Sequence, residues 1–185
     1  PNIILVGEIR DLEVGEVAIQ AALTGHLVFS TLHTNDACSA LTRLIDMGIK
    51  PFLVASSIQA ILAQRLTRII CEECKEDDPD PDPKLIRLLR FNEDELTGRL
   101  KRGAGCKRCA GTGFRGRLGI FEFVAMTNEL RELAFNRAST SQVRKAARAA
   151  GMRGLLDDGR IKVLRGATTL REVAKHAQAE GGWPV

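Results

Sequence analysis

Hydrophobic and polar positions alternate in blocks whose period changes along the chain. Ile3-Ile4-Leu5-Val6 is an unbroken aliphatic run, the pattern of a strand covered on both faces in the parallel sheet of an α/β domain. Gly7-Glu8 ends it. Val14, Val17, Ala18, Ala21 and Ala22 then recur at helical spacing within Leu12 to Leu23. Leu27 to Leu32 is a second apolar run, so the predicted order is strand, helix, strand, as a right-handed crossover requires. Ala37, Leu41 and Ile45 share one face of a helix predicted over Ala37 to Met47, capped by Asn35 or Asp36 and ended at Gly48. Pro51 opens a further helix carrying Phe52, Leu53, Ile58, Ile61 and Leu62, and Ala63 to Ile70 fits a strand or a helix end.

The middle of the chain is polar and punctuated. Glu72 to Pro83 is acidic and rich in proline, which predicts an exposed, stiffened loop. Lys84 to Phe91 and Glu93 to Leu100 are short amphipathic helix candidates, and Leu118 to Val124 alternates like a strand. Helices are predicted over Asn128 to Asn136, Ser139 to Ala150, Met152 to Arg165 and Thr169 to Gln178, with Ser139/Gln142 and Thr169/Glu172 spaced as capping boxes. Ala179 to Val185 reads as a frayed tail.

The strand ends carry the first candidate chemistry. In open parallel sheets ligands bind beyond the carboxyl ends of the strands, where Glu8 follows the first run and His33 the second. An imidazole there can donate to a phosphate, with Ser30, Thr31 and Thr34 adding hydroxyls. His26 precedes the same strand, and seven extended residues span roughly 23 Å, so His26 and His33 have different jobs. His26 is either a hydrogen-bonded loop residue or part of a polar site.

The cysteines form a second constellation. Cys71-x-x-Cys74 and Cys106-x-x-Cys109 are two pairs separated by 31 residues, each able to supply half of a tetrahedral four-thiolate site for structural Zn2+. Closing so long a loop costs about 3 kcal/mol, whereas zinc binding in finger peptides is worth about 10–16 kcal/mol. Metal therefore outweighs the loop. Disulfides are the rival reading, disfavoured without an export signal. Cys38, with no second cysteine close by, reads as a small buried apolar residue.

Composition narrows the function classes. Of the 185 residues 44% are apolar, enough for one core and a small satellite module. No apolar run reaches the 18 or so residues of a membrane span, and no signal peptide is visible, so the expectation is a cytoplasmic protein without a transmembrane segment. Arg99, Lys101, Arg102, Lys107, Arg108, Arg115 and Arg117 form a basic patch around the second cysteine pair. Yet residues 71 to 117 hold eleven basic and ten acidic side chains, and aromatics make up only 4% of the chain, a poor composition for nucleic-acid recognition. The patch is expected to face acidic partners or neighbouring subunits instead.

IILVGEIRDLE and TGHLVFSTLHTNDA resemble the Walker B segment and His box of the secretion and pilus-assembly ATPases. The tetracysteine module with its continuation GTGFRGRLGIFE, and VLRGATTLREVAK near the end, are similar to the same family, whereas the pilus retraction motors lack the cysteines. Cys106 to Gly113 also resembles one C-x-x-C-x-G-x-G unit of the J-domain co-chaperones. The motor resemblance implies an α/β fold: the Walker B half of a RecA-like P-loop ATPase domain (1–70), an inserted zinc-binding module (71–117), and a return strand with a C-terminal helical subdomain (118–185). It implies roles for Glu8 around Mg2+ and the attacking water and for His33 near the terminal phosphate of ATP, with Gly7, Arg10, Asp11, His26 and Thr31 in their vicinity.

The resemblance further implies a homo-hexamer that powers protein secretion or pilus assembly, working at the inner membrane through a platform protein. No G-x-x-x-x-G-K-[ST] occurs in the sequence, so the phosphate-cradling loop and its lysine are missing from it. Together with a start at Pro1 inside a motif, this reads as the carboxyl-terminal part of a longer motor that hydrolyses no ATP alone. The alternative is a zinc-dependent adaptor or nucleic-acid-binding module.

Overall fold

The computed structural model describes residues 1–96, 98 and 100–176. In chain order the elements are β1 (Ile3–Val6), α1 (Leu12–Leu23), β2 (Leu27–Ser30), α2 (Ala37–Asp46), α3 (Pro51–Ser57), β3 (Ala60–Ile70), β4 (Lys75–Asp77) and α4 (Pro83–Leu88). They continue with α5 (Glu93–Leu96), β5 (Lys101–Gly103), β6 (Phe114–Ala125), α6 (Asn128–Phe135), α7 (Thr140–Ala149), α8 (Leu155–Leu164) and α9 (Leu170–Ala174). Contacts divide the chain into two compact units, one of Pro1–Ala63 with Phe123–Met152, the other of Gln64–Glu122 with the chain from Arg153 on. The pair β3–β6 runs through both.

In the first unit β1 and β2 pair in parallel, Ile3 opposite Leu27 and Val6 opposite Ser30. The crossover between them is α1, opened by the Asp11 carboxylate accepting the Val14 N–H at 2.9 Å. Polar caps fix the other helices too. Asp36 accepts the Ser39 N–H at 2.9 Å to start α2, and Ser139 with Gln142 forms the expected capping box on α7. Their apolar faces converge on a core that includes Ile19, Leu41, Ile49, Val54, Val124, Leu130 and Val143. The expectation of strands covered on both faces is corrected: Ile3, Leu5, Leu27 and Phe29 are 62%, 76%, 50% and 54% exposed. Side chains alternate across a strand, and this row of the two-stranded sheet stays open while Ile4, Val6 and Val28 are half-buried.

A second correction concerns the segment after Pro51. Helix α3 stops at Ser57 because Ile58 turns to extended backbone, and Ile61 and Leu62 belong to β3 rather than to a helix.

The second unit is organised around Leu89, Phe91, Leu100, Val163, Leu170 and Val173. Its acidic stretch is not wholly loop, since β4 pairs antiparallel with β5 in the register Glu76 opposite Arg102 and Asp77 opposite Lys101. Opposite charges across a strand pair favour that register. Thr169 caps α9, its hydroxyl oxygen accepting the Glu172 N–H at 3.3 Å, but the Glu172 carboxylate does not close a capping box. The buried carboxylate instead accepts the Arg68 N–H at 3.1 Å and pairs with the Arg68 guanidinium at 2.8 Å and with Lys175. The Arg68 guanidinium also lies 4.0 Å from the centre of the Phe114 ring. Burial pushes the Glu172 carboxyl up, yet the hydrogen bonds from Arg68 and Lys175 prevail and bring it down to about 2. The predicted helix end at Gln178 and the tail 179–185 lie outside the described residues.

Candidate functional site

The strand ends of the first unit converge as their spacing requires. Beyond β1 and β2 two bonds prolong the pairing: the Thr31 hydroxyl donates to the Gly7 carbonyl at 2.7 Å, and the Ile9 N–H donates to the Thr31 carbonyl at 3.0 Å. Glu8 and His33 therefore leave the sheet on one carboxyl edge. His33 Nε2 lies 2.7 Å from Glu8 Oε2, and the Arg10 guanidinium pairs with Glu8 Oε1. The Arg10 hydrogen bond first, and that of His33 second, hold the Glu8 carboxyl below its ordinary value. Glu8 is 28% exposed and His33 84%, so an ionised carboxylate, an imidazole and a guanidinium meet on a face open to a ligand.

Two other candidates stand apart from this group. His26 sits at the opposite end of β2, where its Nδ1 lies 3.1 Å from the Ala21 carbonyl and 3.2 Å from the Thr24 hydroxyl. That is the loop reading. Asp11 is occupied as the cap of α1.

A polar groove of about 280 Å³ runs from His33 along α2, lined also by Thr34, Asn35, Ser39 and Arg43. Ser39 and Arg43 were not singled out in the sequence, although their separation of four places them on one helix face. Behind the groove Asp36 is 4% exposed and paired with Arg144 at 3.0 Å. The Thr42 and Thr140 hydroxyls meet at 3.0 Å, so α7 braces the segment that carries His33.

In the second unit the four cysteines meet. Their sulfurs all lie within 4.8 Å of one another, with Sγ–Sγ separations of 3.9 Å for Cys71 to Cys106, 3.9 Å for Cys74 to Cys109 and 3.7 Å for Cys106 to Cys109. A tetrahedron with zinc–sulfur bonds of about 2.3 Å has edges of about 3.8 Å, whereas a disulfide is about 2.05 Å. The spacing fits the metal and excludes the disulfide reading.

The backbone supports thiolate character. The Cys106 and Gly113 N–H groups each donate to Cys109 Sγ at 3.2 Å, and the Gly105 N–H donates to Cys74 Sγ at 3.3 Å. The Cys106 bond foremost lowers the Cys109 thiol to about 6 against the effect of burial, while burial raises Cys74 to about 12. Gly103 and Gly113 make this packing possible: a Cβ on Gly103 would stand 2.0 Å from the Gly113 carbonyl oxygen, and one on Gly113 2.4 Å from that of Gly103. Cys38 is fully buried and outside this cluster, with Sγ 3.8 Å from Met152 Sδ.

Three of the seven residues of the basic patch are paired within the unit, Lys101 with Asp77, Arg102 with Glu76 and Arg108 with Glu73, and for these three the expectation of outside partners is corrected; Lys107, Arg115 and Arg117 are exposed. Arg99 lies outside the described residues. Among the described residues no helix is long and apolar enough to cross a membrane.

Residues 1–175 match the family model described as "Type II/IV secretion system protein". The chain is 48% identical over 174 residues to the type IV pilus assembly ATPase PilB of Thermus thermophilus, covering 94% of this chain and 20% of that protein. It is 46% identical over 180 residues to the type II secretion system protein E of Pseudomonas aeruginosa, covering 97% of this chain and 35% of the relative. The chain thus spans between a fifth and about a third of the relatives it matches. The X-ray structure of the Yersinia pseudotuberculosis ATPase DotB shares its fold with a TM-score of 0.64 at 20% identity, over 97% of this chain and 37% of that one. With strand ends, cysteine cluster and family match in agreement, the chain belongs to the type II/IV secretion system protein family.

Proposed function

We propose that these residues form the Walker B and His-box edge of an ATPase that powers protein secretion or pilus assembly. The observation that carries this reading is the 2.7 Å approach of His33 to Glu8 at the carboxyl edge of a parallel strand pair. In a nucleotide-loaded motor Mg2+ and the phosphates of ATP supply the electrophile. Glu8, kept ionised by Arg10, orients the attacking water and accepts hydrogen bonds from it. His33 Nε2, released from Glu8, donates toward the terminal phosphate. Arg10 and Thr31 position Glu8, the first through its charge and the second through Gly7. No phosphate-cradling motif lies in the 185 residues, so the loop that holds ATP comes from outside them, and the 185 residues alone are expected to be inactive.

The open apolar row of Ile3, Leu5, Leu27 and Phe29 supports a sheet face covered by a further packed layer, since an exposed row of this kind marks an interaction surface. As the Walker B and His-box resemblance implies, the reading extends to a homo-hexameric ring on the cytoplasmic side of an inner membrane, held there by a platform protein. A structural zinc at Cys71, Cys74, Cys106 and Cys109 stabilises the second unit. The adaptor or nucleic-acid alternative is weakened because Lys101, Arg102 and Arg108 are paired internally. Magnesium-dependent ATP hydrolysis by the longer protein containing this chain, absent from the 185 residues, is the test. A longer protein that binds no nucleotide would refute the reading.

A further inference from the structure

The β4–β5 ribbon carries different chemistry at its two ends. At one end the Ala104 N–H donates to the Cys74 carbonyl at 2.9 Å, and at the other the Asp78 N–H donates to the Leu100 carbonyl at 2.9 Å. Four steps of strand put Asp78 about 13 Å from Cys74. At the Asp78 end lies a groove of about 290 Å³, lined by Ile86, Leu96 and Leu100 together with Asp77, Asp78 and Pro81. Asp77 is held by Lys101. The Asp78 carboxylate accepts the Asp80 N–H at 3.4 Å and is in no ion pair among the described residues. Lysine and arginine bury their methylene stems along apolar surface and keep the charged head at a polar edge, so this groove has the chemistry of a receptor for such a side chain. At the cysteine end, Lys107 begins the 3-10 turn Lys107–Cys109. Lys107 is exposed and in no ion pair among the described residues, whereas Arg108 beside it is held by Glu73. Arg115, also exposed, follows two residues after Gly113, whose N–H is donated to Cys109 Sγ.

We propose that the Asp78 groove of one copy receives Lys107 of a second copy, joining the cysteine-bearing units head to tail. The chain itself thus supplies both halves of a charge-complementary contact, on opposite ends of one ribbon. Groove and turn are different surfaces, so the contact is heterologous, and contacts of that kind close into rings when the rotation between copies permits. The inference rests on the ring reading above and names surfaces through which neighbouring copies meet. An exposed ion pair alone contributes little. Here the lysine stem covers Ile86, Leu96 and Leu100, and that burial desolvates the pair. The cysteine cluster fixes the turn that presents Lys107, while Arg115 adds positive potential at the same end.

The test uses the zinc-loaded longer protein containing this chain, as an equal mixture of ordinary and heavy-nitrogen copies, treated with a carbodiimide that joins amines to carboxylates in contact. Peptide mass spectrometry is expected to find Lys107 joined to Asp78 in peptides of mixed isotope, while the Lys101 to Asp77 link within one chain keeps a single isotope. Mass photometry then follows the concentration at which the protein assembles. Lys107→Glu and Asp78→Lys should each raise it at least about tenfold, and the doubly reversed variant should return to within about threefold of the parent. The cross-link on the unaltered protein is read whether or not the variants fold. Assembly without the mixed-isotope link, single variants that assemble like the parent, or a double variant no better than either overturns the inference and leaves the ring reading intact. Asp78 joined instead to a lysine of another protein also overturns it. A longer protein that stays monomeric overturns both.

Discussion

His33 Nε2 and Glu8 Oε2 stand 2.7 Å apart although 25 residues separate them in the chain. One parallel register produces that meeting, because β1 and β2 start level at Ile3 and Leu27 and end level at Val6 and Ser30. Thr31 then ties the two exits together through Gly7 and Ile9. The depression of the Glu8 carboxyl by Arg10 and His33 keeps it charged from neutral pH down through its ordinary range. Its loss of charge belongs to acid conditions.

Replacing His33 by Ala in the longer protein removes the donor proposed to act at the phosphate but leaves the sheet edge in place. Turnover is expected to fall about 10²-fold or more, the scale of a lost transition-state hydrogen bond in a closed site, with nucleotide affinity changed little. Separate measurement of kcat and nucleotide Kd checks this. An equal loss in both would mean that His33 serves ground-state binding instead.

Glu172 predicts how the second unit responds to acid. Its folded carboxyl is depressed to about 2 from an ordinary 4.5, so its contribution is fully present above pH 4.5 and is lost as pH falls toward 2. With the side chain 5% exposed, the contribution is on the order of 3 kcal/mol. Glu172→Gln should lower the denaturation midpoint at pH 7 and flatten its fall between pH 4.5 and 2.5. Denaturant titrations at several pH values read both effects.

Gly103→Ala tests the cysteine module through the backbone. The added methyl meets the Gly113 carbonyl, and Gly113 carries one of the N–H groups donated to Cys109 Sγ. The prediction is a loss of zinc affinity of at least about tenfold, the scale seen when groups supporting metal ligands are disturbed. Competition with a chelator of known affinity measures it, and unchanged affinity would contradict the packing account.

Much of this was legible in the residues, and the failures have physical causes. Glu8 and His33 could be read because each follows directly on an apolar run whose type fixes which edge it reaches. The four cysteines could be read because thiolate pairs at this spacing have few other uses. Ile61 and Leu62 could not be placed, since an apolar pair satisfies helix and strand patterns alike until Ile58 turns the chain. The acidic stretch hid β4 because strand pairing there depends on Lys101 and Arg102, more than twenty residues away. Glu172 fitted a local capping box, but a partner 104 residues distant, Arg68, took its buried carboxylate. Local pattern loses when a desolvated charge finds a closer match in the fold.

The most direct measurement is steady-state ATP hydrolysis by the longer protein carrying Glu8→Gln, with ATP binding measured in parallel. The account predicts that binding persists while turnover drops by two orders of magnitude or more, about 10²–10⁴-fold for a lost general base. Wild-type turnover in that variant would contradict the role given to the Glu8 edge.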